Sequence, residues 1–190
     1  MTLMKTMKIK TRLLPLITGI ALLLSLAPTN LRAASPESDA RAVVQRVFDQ
    51  LKSGQFNSLY DNLPAASRAR LSRASFNAML QKTRNMYQLE RLDVGAVRVS
   101  NNLAVVDTVM YGRVTQPMIA EGKVVVQQYL VREDGAWRVA TGDNQTIRGF
   151  LAANPAFAKR FAIRPPRVYV KQGSSWVEVN LSRLPRGRSK

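Results

Sequence analysis

Asp107 is the one carboxylate that stands in mid-strand among apolar neighbours, in the run LAVVDTVMYGRV. Strand alternation puts Tyr111 two pairs along the same face, and the neighbouring strand brings Gln128 or Gln127 beside them. Tyr60, from a helical stretch nearer the N-terminus, could close the mouth of a shared cavity. A carboxylate, a phenol and an amide around one hollow could serve as base, donor and binding group. The same residues could equally be structural, with Asp107 paired across strands to Arg98 or Arg113 and the Tyr111 hydroxyl in water. Asp107, Tyr111, Gln128 and Tyr60 are therefore candidate ligand-binding residues, and no residue is assigned a catalytic role.

The missing residue types narrow the chemistry further. The chain has no Cys and no His. That removes disulfides, thiolate nucleophiles, imidazole general bases and nearly all zinc sites. Glu133-Asp134 and Asp143 are loop acids without ligand spacing and read as turn formers, so no metal is expected. The 10 glycines are scattered singly and build no phosphate loop. No cofactor is implied. Asn144-Gln145-Thr146 and Asn180-Leu181-Ser182 match the glycosylation acceptor pattern, which matters only in a host that glycosylates exported proteins.

Charge and hydropathy suggest a cellular route. The net charge is +17, but residues 148–190 hold 10 basic residues against the single Glu178, while residues 35–147 are nearly balanced. A basic tail favours anionic partners, and its plain alternative is a solvated surface that aids solubility. Met1 to Arg12 is basic, Leu13 to Ala27 is apolar over 15 residues, and Ala33, Ala34 and Ser35 are small. This is the layout of a secretory signal over residues 1–34, since a spanning helix needs about 20 apolar residues. An uncleaved N-terminal membrane anchor is the alternative. Either route places the domain outside the cytoplasm, periplasmic or secreted, and makes nucleic acid an improbable partner.

The elements that must position the candidate residues follow from periodicity. Ser35-Pro36-Glu37 opens a helix with a cap, a proline at the first turn and acids at the positive dipole end. Ala40, Val43, Val44, Val47, Phe48 and Leu51 make its apolar face, and Gly54 is its stop. Phe56 to Leu63 predicts a short second helix, and Ser67 to Tyr87 a third with Ser72 as cap. The period then changes to two. Strands are expected at Leu92–Ser100, Leu103–Val114, Lys123–Arg132 and Trp137–Thr141, joined by turns at Asn101-Asn102 and Glu133-Asp134-Gly135. Residues 146–162 read as two helical pieces broken at Asn154-Pro155. Val168–Val170 and Trp176–Val179 suggest a hairpin, which needs a sheet or partner to pack on, and the last ten residues read as disordered.

The helix–helix–helix–meander order resembles the nuclear transport factor 2-like superfamily, the cone-shaped fold shared with polyketide-cyclase-like and ketosteroid-isomerase-like proteins. Three features carry the resemblance: VVQRVFDQLKSGQFNSLYDNL, the pair of long strands, and EDGAWRVATGD. It covers about residues 36–143. It implies an α+β fold, with N-terminal helices on a curved antiparallel, cystatin-like sheet over residues 35–145. Residues 146–190 form a basic extension with short helices and a hairpin. Enzymes of this superfamily work inside the cone, typically through an Asp or Asp-His pair, and this chain has no His. The expected function is thus a non-enzymatic binding domain for a small apolar ligand or an envelope protein. Arg164, Arg167, Lys171, Arg183, Arg186 and Arg188 would meet an anionic membrane or wall surface. A small lyase or isomerase using Asp107 as base is the alternative, and a homodimer through the open sheet face is a third reading.

Overall fold

The computed structural model describes residues 35–115, 119–161 and 164–179. Residues 1–34, where a secretory signal is expected, and the basic chain end, with Arg183, Arg186, Arg188 and the Asn180 acceptor pattern, lie outside the described residues.

Helix α1 (Pro36–Ser53) begins as its sequence requires. The Ser35 hydroxyl accepts from the Ser38 amide at 3.2 Å, and Glu37 and Asp39 sit in the first turn. It ends at Gly54, whose φ of +75° lets the backbone turn left-handed. Helices α2 (Phe56–Asp61), α3 (Ala65–Arg70) and α4 (Arg73–Arg84) follow. The single third helix expected from Ser67 to Tyr87 is thus two. Leu71 adopts an extended conformation between them, and Ser72 caps α4 by accepting from the Ser75 amide at 3.2 Å.

Strands β1 (Tyr87–Ser100), β2 (Leu103–Val114), β3 (Ala120–Glu133) and β4 (Ala136–Val139) form the antiparallel meander. Beyond them come α5 (Asn144–Ala153), α6 (Pro155–Arg160) and the hairpin β5 (Arg167–Gln172) and β6 (Ser175–Val179). Strand β3 gives one edge to β2. Its other edge holds β4 at Leu130–Glu133 and β5 at Gly122–Val125, so the hairpin extends the main sheet.

β1 starts five residues before the expected Leu92 and bends twice. Its register slips between Leu89 and Arg91 and again between Val94 and Val97. Each bulge leaves carbonyls that the ladder does not use, and α1 supplies the donors. Arg41 donates to Val94 O and Gly95 O, both at 2.7 Å, and Lys52 Nζ donates to Glu90 O at 2.8 Å. Arg41 and Lys52 are three helical turns apart on one face, so one helix holds both bends.

The pleat of β2 and β3 divides the core. Ala104, Val106 and Leu130 pack with Ala40, Val43 and Val44 of α1 and with Trp137 and Val139 of β4. Their alternates Leu103, Val105, Tyr129 and Val131 pack with Ile147 and Leu151 of α5 and Phe157 of α6. The sheet therefore has helices on both faces, the N-terminal set on one and α5–α6 on the other. Full burial of each of these larger side chains contributes about 1.5–3 kcal/mol.

Candidate functional site

The face that carries α1 also holds an open cavity of about 600 Å³. Its walls are Val44, Val47, Phe48 and Leu51 of α1, Leu59 of α2, Phe76, Met79 and Leu80 of α4, Leu92 of β1, Met110 of β2 and Val139 of β4. Helix α4 is the wall least supported by protein. Phe76 and Leu80 are half-buried, Met79 is 52% exposed, and no residue of the helix is buried. Its apolar face is turned to the cavity.

Polar groups gather at one end. Ser67, Arg70, Gln128, Thr141, Asp143 and Asn144 all line the cavity. Asp143 is the centre of a bonded set. It caps α5 by accepting from the Thr146 amide at 3.0 Å and the Thr146 hydroxyl at 2.7 Å. Ser67 donates to its carboxylate at 2.8 Å and Arg70 at 2.5 Å, and Arg70 also reaches the Thr146 hydroxyl oxygen. Burial alone would raise the Asp143 pKa. The bonds from Thr146, Ser67 and Arg70 outweigh it and hold the carboxyl well below the usual range. Asp143 is therefore a fixed anion, already fully engaged, and it locks α3 to the start of α5.

Gln128 is buried, and its side chain points to the α1 face. Its Nε2 donates to Thr108 Oγ1 at 3.3 Å. Thr108 gives its own proton to Val126 O at 2.9 Å, so its oxygen must accept, which fixes the orientation of the Gln128 amide. The Gln128 Oε1 is left without a hydrogen-bond partner among the described residues.

Of the four residues expected to share a cavity, only Gln128 lines it. Asp107 belongs to the opposite face of β2, with Leu103 and Val105. There Arg98 donates to it at 2.6 Å and Gln127 Nε2 at 3.2 Å. The Arg98 bond outweighs desolvation and lowers the carboxyl pKa, so Asp107 is a poor base and stands outside the cavity. Tyr111, on that same outer face, packs edge-on to Trp176 at 6.3 Å under the Arg91 guanidinium at 4.0 Å. The Tyr60 hydroxyl bonds Leu71 O at 2.9 Å and Arg68 O at 3.2 Å, tying α2 to the end of α3. Its ring braces Phe76 edge-on at 5.8 Å, so Tyr60 acts behind the cavity wall rather than at its mouth.

Arg70, Ser67 and Asp143 did not emerge as site residues from the sequence. Asp143 carried one local signal, an Asp three residues before Thr146 and just ahead of the apolar Ile147, Phe150 and Leu151, which is a helix-capping pattern. A second hollow, of about 390 Å³, lies beyond Leu51 against Arg84, Asn85 and Gln88. Among the described residues no group of three or more acids is placed to hold a metal ion, and no helix is long and apolar enough to cross a membrane.

No family model matches this chain, and no curated protein matches it. Among solved structures it is similar to a protein described as an NTF2-like transpeptidase from Campylobacter jejuni, with 11% identity and a TM-score of 0.40 over 54% of this chain and 97% of that one. It is also similar to a domain of unknown function with a cystatin-like fold from Nostoc punctiforme, with 15% identity and a TM-score of 0.40 over 66% of this chain and 93% of that one. The chain itself is an α+β protein with helices on a curved, six-stranded antiparallel sheet.

Proposed function

We propose that this protein is an exported, non-enzymatic binding domain that takes up a small apolar molecule between α1, α4 and the sheet. The observation that carries this reading is the cavity of about 600 Å³ beneath an α4 whose apolar residues Phe76 and Leu80 are only half-buried and whose Met79 is exposed. An open apolar hollow of that size leaves its lining against water, and an apolar ligand that covers it removes that surface from water. The carboxylate once considered as a base, Asp107, lies on the other face and is bonded to Arg98, so nothing here favours the lyase or isomerase reading.

Export rests on the basic and apolar layout of residues 1–34. The basic C-terminal residues would hold the domain at an anionic membrane or wall surface; Arg164 and Arg167 are exposed, while Lys171 is tied to Glu121 at 2.7 Å. The test of the central reading is saturable binding of the neutral apolar fluorophore N-phenyl-1-naphthylamine, with loss of binding when the cavity is filled by substitution.

A further inference from the structure

The polar end of the cavity carries more information than its volume. Resting on the binding reading above, we infer that the occupant is a neutral apolar alcohol whose hydroxyl is held by Gln128. Three observations converge on it. Gln128 is only 9% exposed, lines the polar end of the cavity, and has an Oε1 without a partner among the described residues. That oxygen stays accessible from the cavity, so an occupant that covers it must either supply a donor or strip it of solvent. Beside it, Thr141 Oγ1 accepts from the Tyr129 amide at 3.1 Å, one residue along from Gln128. Its hydroxyl proton has no acceptor among the described residues, so it can donate. The pair therefore offers one acceptor and one donor, which a single hydroxyl satisfies by giving its proton to Gln128 and receiving one from Thr141.

Charge selects against an anionic head. Arg70 is already paired with Asp143, and the two charges cancel at this end of the cavity. Asp143 stays ionised through the bonds from Thr146, Ser67 and Arg70, so a second carboxylate would be placed beside a fixed negative charge. An ether or alkane would cover Gln128 Oε1 without giving it a donor.

The experiment is displacement of N-phenyl-1-naphthylamine from the full chain by 1-decanol, decyl methyl ether and, at pH 8, decanoate. The alcohol should compete about tenfold more strongly than the ether, the worth of one recovered buried hydrogen bond, and more strongly than decanoate. In Gln128→Leu the alcohol should lose its advantage over the ether. The wild-type comparison stands even if that variant does not fold. Equal competition by alcohol and ether in the wild type overturns the inference and leaves the apolar cavity intact. Stronger competition by decanoate also overturns it, and would make Arg70 the head-group contact. No fluorophore binding at all would overturn both this inference and the binding reading beneath it.

Discussion

Arg70 and Asp143, 73 residues apart in the chain, meet with a guanidinium nitrogen 2.5 Å from a carboxylate oxygen. The contact joins the end of α3 to the cap of α5 and closes the polar end of the cavity. Asp143→Asn removes the charge from a set that includes the α5 cap. It should destabilise the fold by about 1–3 kcal/mol in urea unfolding, the range for a lost cap and a charged hydrogen bond. The pH dependence has a definite sign. The folded pKa of Asp143 is depressed below its ordinary 3.8, so its contribution is fully present above that value and fades as pH falls through it towards the folded pKa. Between pH 7 and 3 the wild type should lose thermal stability more steeply than the Asn variant. Parallel curves would remove Asp143 from the account.

Asp107→Asn tests the opposite face. Arg98 and Asp107 are each about a third exposed, so the pair is partly screened, and the loss should be about 1 kcal/mol. Binding of an apolar probe should stay within about twofold of wild type, since the residue lies across the sheet from the cavity. A large loss of binding with the fold intact would return Asp107 to the site.

Two glycines give opposite expectations. At Gly112 a Cβ would lie 2.4 Å from the Gln88 carbonyl oxygen, next to the first bulge of β1. Gly112→Ala should cost about 1–3 kcal/mol, because backbone must shift. Gly149 lies in α5 with open space around its missing Cβ, so Gly149→Ala should stabilise by about 0.5–1 kcal/mol through helix propensity. Thermal denaturation of the two variants checks both signs.

These residues also mark how far the sequence could be read. The α1 boundaries, the β2 boundaries, both C-terminal helices and the meander are local signals, and they appear where caps, Gly54 and alternation place them. The early start of β1 was hidden because Glu90 is an extra residue at a bulge, so Leu89 and Leu92 no longer obey a period of two. The side of the sheet that holds the cavity was not legible either. Leu103, Ala104, Val105 and Val106 are all buried, so alternation separates two faces without saying which one is hollow. Asp107 was grouped correctly with Leu103, Val105, Val109 and Tyr111, but on the filled face. The Ser67–Arg70–Asp143 set depends on contacts across more than 70 residues, which spacing cannot reveal.

The basic extension is best tested by charge rather than by deletion. Strand β5 pairs with β3, so removing residues 164–190 would strip a strand from the sheet. Replacing Arg164, Arg167, Arg183, Arg186 and Arg188 with Gln should leave the fold intact. It should weaken sedimentation with phosphatidylglycerol vesicles by about tenfold or more at low salt, an effect that high salt should erase. Equal sedimentation of both proteins would dismiss an anionic surface as the partner of this segment.

The central claim is the cavity, and one titration addresses it most directly. N-phenyl-1-naphthylamine is titrated into the wild-type protein and into Leu80→Trp, which places a larger ring from α4 into the hollow. The account predicts saturable binding at one site in the wild type. The Trp variant should bind at least about tenfold more weakly at undiminished thermal stability, since the ring occupies the hollow that the fluorophore would take. Absence of saturable binding to the wild type, or equal binding by a folded Trp variant, would contradict it.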